Sequence, residues 1–273
     1  MRFLLFLFVS INISCINSNN ISAQNTYKVK QDSVFINTSN GKIFGIYFKP
    51  IGTKGKIPAI LCLQGGGNVG LSNYFYEARY FAKNGIAALV CDKSGTGRSQ
   101  TSKTWEQQTF NAKTNEYITL HNWLSNQEGI DNTKVGVHGM SEGGRLSLNM
   151  AIEYPNKIAF VNAVSAPIAS FKENQLYAIK HFLQIRGNDE TVIKEALVLW
   201  ESFFNDVGNG KITNKTLALH SKLRVNNPNL RYIPSNSRQL PLRPHQDDIH
   251  FSLIKSIGTI KCPVLFQYGE LDI

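Results

Sequence analysis

The chain has 273 residues and a formal net charge of +10, and 42% of its residues are hydrophobic while 18% are charged. This balance is typical of a folded globular protein with one large core or two small ones, and it excludes a repeat array or a low-complexity chain. The positive charge favours acidic surfaces or substrates in general. Because no motif typical of RNA or DNA binding accompanies it, we expect no nucleic-acid partner.

The N-terminus has the pattern of a targeting segment. A basic residue precedes an uninterrupted apolar run at 3–9, which is too short to span a bilayer. Cleavage after Ala23 would remove residues 1–23 as a signal peptide. In a second interpretation Cys15 is lipid-modified and tethers the protein to a membrane, although Asn12 stands where such sites usually carry leucine. We therefore predict a secreted or periplasmic protein, or alternatively a lipoprotein anchored through Cys15.

A hairpin opens the mature chain, and a strand–helix alternation follows it. Residues 26–38 and 42–48 are predicted antiparallel strands, and Asn40-Gly41 between them is typical of a type I′ turn. The next predicted strands are at 58–63, 86–91, 134–138 and 159–164, and the predicted helices are at 72–84, 106–126 and 142–153. Nearly continuous apolar strands that alternate with helices predict a mostly parallel sheet, covered on both faces.

The alternation stops near residue 170. Two stretches of helical periodicity follow, at 171–185 and 190–206. A loop-rich, basic stretch then runs to about residue 244, and the strand pattern resumes at 263–268. We therefore predict that residues 170–258 form a largely helical cap, inserted into a core made of residues 26–169 and 259–273.

The most informative motif is Gly-Met-Ser-Glu-Gly at 139–143. It stands between a predicted strand and a predicted helix, which is the sequence form of a nucleophile elbow. In an elbow the serine occupies a strained turn, so that its hydroxyl projects above the sheet. Parallel sheets bind ligands at the carboxyl ends of their strands, and the loops at 64–67 and 269–272 leave two further such ends.

Acyl transfer needs a nucleophile, a base, an acid that orients the base and two N–H donors for the oxyanion. Ser141 is the candidate nucleophile. The N–H groups of Gly66, in a glycine run, and of Glu142, at a helix N-terminus, are the candidate oxyanion donors. Asp272, just past the last predicted strand, is the candidate acid.

These motifs resemble those of the α/β-hydrolase superfamily, in particular its secreted esterase and serine-peptidase-like branch. The resemblance rests on Asp-Lys-Ser-Gly-Thr-Gly-Arg-Ser at 92–99, the elbow at 139–144, Cys-Pro-Val-Leu at 262–265 and Gly-x-x-Asp at 269–272. It implies a serine hydrolase that cleaves carboxylic esters through an acyl-enzyme. The expected substrate is a small-molecule ester or a short peptide, and we expect neither a metal nor a cofactor.

Three departures from the family pattern stand out. Gln64 occupies a position where histidine is usual, and Ser94 one where arginine is usual. The family order is serine, acid, histidine, and no histidine follows Asp272. His245 and His250 precede the last predicted strand, where the family places no base. We therefore expect a truncated sequence that lacks the last strand, the last helix and the catalytic histidine.

Three alternatives remain open. The same machinery serves a peptidase or a thioesterase, and a non-catalytic binding protein can use the same fold. In addition, the glycines at 65, 67 and 70 satisfy Gly-x-Gly-x-x-Gly after a strand, and Asp92 ends the next strand about twenty residues on. That arrangement is typical of a Rossmann-type NAD-binding protein, but it leaves the elbow unexplained.

Overall fold

The computed structural model describes residues 26–67, 69–233 and 248–269. The predicted signal peptide, Cys15, His245 and the candidate acid Asp272 therefore lie outside the described residues. Within the described residues the chain forms an eight-stranded mixed sheet and six α-helices. The predicted α/β class, with a mostly parallel sheet and an antiparallel N-terminal hairpin, is confirmed.

The elements follow the predicted order with shifted boundaries. The strands are β1 (Lys28–Thr38), β2 (Gly41–Ile51), β3 (Ile57–Leu63), β4 (Ala87–Cys91), β5 (Gln100–Thr101), β6 (Ile130–Met140), β7 (Val161–Val164) and β8 (Val264–Gln267). The α-helices are α1 (Phe75–Lys83), α2 (Phe110–Ser125), α3 (Glu142–Glu153), α4 (Phe171–Ile185), α5 (Glu190–Gly208) and α6 (Asn214–Asn226). Short 3₁₀ turns precede α1 and α2, at Leu71–Tyr74 and Trp105–Gln107.

The sheet order brings the site loops to one edge. The order is β1-β2-β4-β3-β6-β7-β8, with β5 beside β2. Strands β4, β3, β6, β7 and β8 run parallel, and β2 pairs antiparallel with both β1 and β4. Leu63 pairs with Gly139, and Met140 pairs with Val164. The carboxyl ends of β3, β6 and β7 therefore lie side by side.

The hairpin turn differs from the predicted one. Thr38 pairs with Gly41, so the two loop residues are Ser39 and Asn40. A type I′ turn needs a positive φ at both loop residues, and neither of these has one, so the predicted turn type was wrong. Instead Gly41 has a φ of 133°, and a Cβ atom there would lie 2.3 Å from the carbonyl oxygen of Gln100 in β5. The close approach of β5, which the sequence did not predict, explains this glycine.

Helices cover both faces of the sheet, as alternate side chains of β3 show. Leu61 and Leu63 are buried in the cluster that contains residues of α2 and α3. Ile60 and Cys62 belong to the opposite cluster, with residues of α1. This burial on both faces is typical of parallel strands.

The helices α4, α5 and α6 follow β7 and precede β8 along the chain, and they form an apolar cluster of their own. The stretch after α5 was predicted to be loop-rich, but it contains the helix α6, so the prediction was wrong for these residues. Few apolar residues mark it, and its start depends on a buried carboxylate, that of Asp206. Asp206 accepts hydrogen bonds from the Thr213 backbone N–H at 2.7 Å and from the Thr216 hydroxyl at 2.6 Å. No helix in the described part of the chain combines the length and apolar character needed to cross a bilayer.

Candidate active site

Ser141 lies on a strained turn between β6 and α3. Its backbone has φ 53° and ψ −117°, a combination that non-glycine residues rarely adopt. The turn is held on both sides, because the Ser141 N–H donates to the Val164 carbonyl at 2.8 Å and the Arg145 N–H donates to the Ser141 carbonyl at 3.0 Å. Ser141 is exposed at this edge of the sheet. Strain that is held in place in this way is typical of functional residues.

Glycines allow the turn to be this tight. A Cβ atom on Gly139 would lie 2.3 Å from the carbonyl of Gly143, and one on Gly143 would lie 2.2 Å from the Leu63 oxygen. A Cβ atom on Gly144 would meet the Cβ of Ala166 at 2.7 Å. The backbone of α3 therefore touches both β3 and the segment after β7, and this packing fixes where the helix N-terminus lies.

The glycine run after β3 lies against the serine. A Cβ atom on Gly65 would be 3.8 Å from the Cβ of Ser141. The Gly65 N–H donates to the Tyr74 hydroxyl at 3.0 Å and so already has an acceptor. No acceptor is recorded among the described residues for the N–H groups of Gly66 and Glu142. These two N–H groups are the candidate oxyanion donors predicted from the sequence.

A buried lysine connects the two donor segments. Lys93 Nζ donates to the carbonyl oxygens of Gly65 and Gly67, the second at 2.9 Å. The same ammonium lies 3.5 Å from Glu142 Oε2 and 4.7 Å from the ring centre of Trp105. Its side chain has no exposed area. Lys93 belongs to the motif at 92–99, but the sequence alone predicted no role for it.

The Glu142 carboxylate is held by three side chains. Lys113 Nζ donates to Oε1 at 2.8 Å, and Trp105 Nε1 donates to Oε2 at 3.1 Å, in addition to the contact with Lys93. Burial works to raise the pKa of Glu142, but Lys113 and Lys93 outweigh it, so the pKa lies below its usual value. Glu142 is therefore ionised at neutral pH. Neither Lys113 nor Trp105 carried a sequence signal for this position.

Asp92, the acid that a dinucleotide-binding site would need, already accepts two backbone hydrogen bonds. Asp92 Oδ1 accepts from the Leu71 N–H at 3.3 Å, and Oδ2 accepts from the Arg98 N–H at 2.8 Å. A Cβ atom on Gly97 would lie 2.1 Å from Asp92 Oδ2, so the chain folds tightly around this carboxylate. A Rossmann protein uses the equivalent acid to bind a ribose. In this chain the Asp92 carboxylate instead binds the backbone N–H groups of Leu71 and Arg98.

Ser94, one of the departures from the family pattern, contacts a buried acid. Its hydroxyl donates to Glu116 Oε2 at 2.5 Å. Asn40 and Gln108 donate to the same oxygen from their amide groups, at 3.4 and 3.3 Å. Burial raises the pKa of Glu116, and these three hydrogen bonds oppose that effect without cancelling it. Gln64, another departure, is buried, and among the residues that the structure describes neither atom of its side-chain amide has a hydrogen-bond partner.

Four histidines in the described part of the chain contact groups other than Ser141. His121 Nε2 lies 3.1 Å from the carbonyl oxygen of Val135, and His138 packs against the ring of Phe81. Burial lowers the pKa of both imidazoles. His181 packs against a tyrosine in α4, and His250 lies beside the end of α5. In the part of the chain that the structure describes, no group of three or more His, Cys, Asp or Glu residues is placed to hold a metal ion.

Comparison with known proteins shows the family. A family model described as the alpha/beta hydrolase fold matches residues 58–204, which is more than half of the chain. The chain therefore belongs to the α/β-hydrolase fold family. Dipeptidyl peptidase 8 of Mus musculus is 29% identical over 145 residues, which cover 49% of this chain and 16% of that protein. The chain thus spans about a sixth of the length of this curated relative.

Two solved structures extend the likeness across the chain. A hypothetical protein from Pseudomonas aeruginosa superposes with a TM-score of 0.56 at 15% identity, over 97% of this chain and 84% of that one. The alpha/beta hydrolase GrgF from Penicillium sp. sh18 also has a TM-score of 0.56 at 15% identity, over 89% of this chain and 81% of that one. At such low identity these similarities show the fold alone.

Proposed function

We propose that the protein is a serine hydrolase that cleaves carboxylic esters through an acyl-enzyme. The observation that carries the proposal is the backbone of Ser141, held at φ 53° at the carboxyl edge of a mostly parallel sheet, directly before a helix N-terminus. Membership of the α/β-hydrolase fold family supports the same chemistry.

In the proposed reaction the Ser141 hydroxyl attacks the acyl carbon, and its proton passes to a general base. The N–H groups of Gly66 and Glu142 stabilise the oxyanion of the tetrahedral intermediate, because Gly66 follows the glycine that lies beside Ser141 and Glu142 opens a helix. The protonated base then donates to the leaving alcohol. A water molecule, deprotonated by the same base, attacks the acyl-enzyme and releases the acid.

The base in this proposal is a histidine oriented by Asp272, as the family resemblance implies. Asp272 lies outside the described residues. The recorded contacts of His121, His138, His181 and His250 are with groups other than Ser141. The proposal therefore assigns the base to a histidine other than these four.

The experiment compares two serine variants at the same edge of the sheet. Ser141→Ala is expected to lower kcat for short p-nitrophenyl esters by about 10³-fold or more. Ser165→Ala is the matched control, because Ser165 also has a positive φ, 47°, at the end of the neighbouring strand β7. Ser165 is half-buried, and this variant leaves the proposed nucleophile and oxyanion donors unchanged, so we expect kcat to stay within about threefold of wild type. Wild-type activity in Ser141→Ala would overturn the proposal.

Peptide cleavage is the second candidate, and the mouse relative named as a dipeptidyl peptidase favours it. The same serine, oxyanion donors and base would serve an amide or a thioester. We would compare kcat/KM for p-nitrophenyl esters, dipeptide p-nitroanilides and acyl thioesters. A higher value for the anilides would make the protein a peptidase, and no turnover of any of the three would favour a binding protein on a hydrolase fold.

We further propose that the protein acts outside the cytoplasm, on the basis of the apolar run at 3–9 and the two cleavage patterns that follow it. Mass spectrometry of the mature N-terminus separates the two patterns. Cleavage after Ala23 would indicate a secreted or periplasmic protein, whereas a lipid-modified Cys15 would indicate a membrane-anchored one. An uncleaved N-terminus would contradict both.

A further inference from the structure

The strongest unassigned feature is the contact of Lys93 with the glycine run. Lys93 directly follows Asp92 and the end of β4, and its side chain has no exposed area. The Nζ atom donates to the carbonyl oxygens of Gly65 and Gly67 and lies 3.5 Å from Glu142 Oε2. A buried ammonium has three protons to place, and these three acceptors satisfy all of them.

The peptide geometry gives this contact a consequence for the oxyanion donors. A trans peptide is planar, so its C=O and N–H bonds point in opposite directions. The carbonyl of Gly65 and the N–H of Gly66 belong to the same peptide unit. By binding the Gly65 carbonyl on one side, Lys93 therefore fixes the Gly66 N–H to point away from itself. Without this contact a glycine run would be free to rotate the peptide, since glycine tolerates many backbone conformations.

The same ammonium group also contacts the residue that carries the second donor. Glu142 places its carboxylate beside Lys93 Nζ while its own backbone N–H lies at the start of α3. Lys113 and Trp105 hold this carboxylate in place, at 2.8 and 3.1 Å. One side chain thus links the peptide of Gly66 to the residue that follows the nucleophile.

We propose that Lys93 is a positioning residue that orients the Gly66 N–H toward the oxyanion and couples it to Glu142. The inference rests on the proposed serine hydrolase function for its catalytic meaning, but the contact with the loop stands without it. Tyr74 is a second anchor of the same loop, because its hydroxyl accepts the Gly65 N–H at 3.0 Å. Lys93 thus acts on the carbonyl side of Gly65, and Tyr74 on the N–H side.

The test replaces Lys93 with methionine, which keeps the length of the side chain and removes the charge. Lys157→Met is the control, because it also removes an ammonium beside an aromatic ring, 5.7 Å from the centre of Tyr154, and this ammonium donates to Asn122 instead of the site. Titration with a fluorophosphonate gives the concentration of competent sites, so that kcat is expressed per site. Hydrogen–deuterium exchange of a peptide spanning 61–71 reports on the loop directly, and thermal unfolding reports on the fold.

We expect Lys93→Met to lower kcat per site by about 10- to 100-fold, up to the loss seen when one oxyanion donor is removed, with KM changed less than threefold. The inhibition constant of a trifluoromethyl ketone, which mimics the oxyanion, should rise by the same factor. Exchange in the 61–71 peptide should become faster, and Lys157→Met should show none of these effects. If Lys93→Met does not fold, Lys93→Gln, which keeps one donor, is judged by the same criteria.

Three results would overturn the inference. The first is a kcat per site within threefold of wild type in a folded Lys93 variant. The second is an equal loss in Lys157→Met, which would indicate a general charge effect, and the third is a loss carried by KM alone. If wild type itself neither hydrolyses esters nor reacts at Ser141, the proposed function fails. In that case unchanged exchange in the Lys93 variant overturns the positioning role, and faster exchange confined to the loop supports it.

Discussion

A Cβ atom on Gly143 would lie 2.2 Å from the carbonyl oxygen of Leu63, the last residue of β3. Real Cβ atoms do not approach backbone oxygens so closely, and both partners are fixed, one in a central strand and one in the first turn of α3. The helix that follows Ser141 therefore starts in direct contact with the strand that leads into the glycine run. This contact sets the position of the serine relative to the candidate oxyanion donors.

Gly143→Ala should therefore push α3 away from β3. We expect the free energy of unfolding to fall by about 1–3 kcal/mol, as for overpacking in a core, and ester hydrolysis to fall with it. Gly258→Ala is the control, because a Cβ atom there has nothing within 4 Å, and its effect should stay within about 0.5 kcal/mol. Urea unfolding of both variants checks the prediction, and equal stabilities would contradict it.

Glu116 should make the protein less stable as the pH rises. Burial raises its pKa above 4.5, its usual value, so the folded protein binds this proton more tightly than the unfolded chain does. The free energy of unfolding then falls as the pH rises from the unfolded to the folded pKa, and the loss is complete above the folded pKa.

Glu116→Gln removes this titration. The melting temperature of the variant, relative to wild type, should therefore increase between about pH 4 and pH 7. Glu106→Gln, at an exposed acid of the preceding 3₁₀ turn, serves as the control for the change of side chain. A constant difference between Glu116→Gln and wild type over these pH values would show that the buried carboxyl does not titrate differently in the folded state.

Gln64→Met should stabilise the fold. Both atoms of the Gln64 amide are buried without a hydrogen-bond partner in the described part of the chain, whereas an apolar side chain of similar size has no polar group to desolvate. We expect the free energy of unfolding to rise by about 1 kcal/mol. Gln107→Met should do the opposite, because the Gln107 amide oxygen accepts the Thr104 N–H in a capping box. A lower melting temperature in Gln64→Met would mean that the amide has a structural partner or ligand.

The dinucleotide hypothesis predicts a clear effect of ligand on stability. At about 100 times its dissociation constant, NAD or NADP would stabilise the fold by roughly 2.7 kcal/mol. We expect no shift in melting temperature, because the Asp92 carboxylate already accepts two backbone N–H groups. A shift that disappears in Asp92→Asn would reverse this assignment.

The sequence predicted the core strands and the turn at Ser141 well, because residues close together in the chain carry the patterns that indicate them. Continuous apolar runs mark β3 and β4, and the glycines between Gly139 and Gly144 mark the turn at Ser141, since close backbone approach requires glycine there. The helix α6 was missed for the opposite reason. It is weakly apolar, and its start depends on the carboxylate of Asp206 from the preceding helix, a contact that no short pattern encodes.

The charged network around the candidate oxyanion donors also could not be predicted from the sequence. Lys93 and Gly65 are 28 residues apart, and Lys113 and Glu142 are 29 residues apart. Only the sheet order and the packing of α2 beside α3 bring them together. A motif can therefore indicate which residue types matter, but the partners of a buried lysine follow from the tertiary fold.

The most direct test of the central claim is covalent labelling of Ser141. The folded protein would be incubated with a fluorophosphonate, and the modified peptide would be identified by mass spectrometry, with Ser141→Ala and Ser165→Ala treated in parallel. We predict one phosphonyl group per chain at Ser141 in wild type and in Ser165→Ala, and none in Ser141→Ala. Full labelling of Ser141→Ala, or a folded wild type that takes no label, would contradict the assignment of Ser141 as the nucleophile.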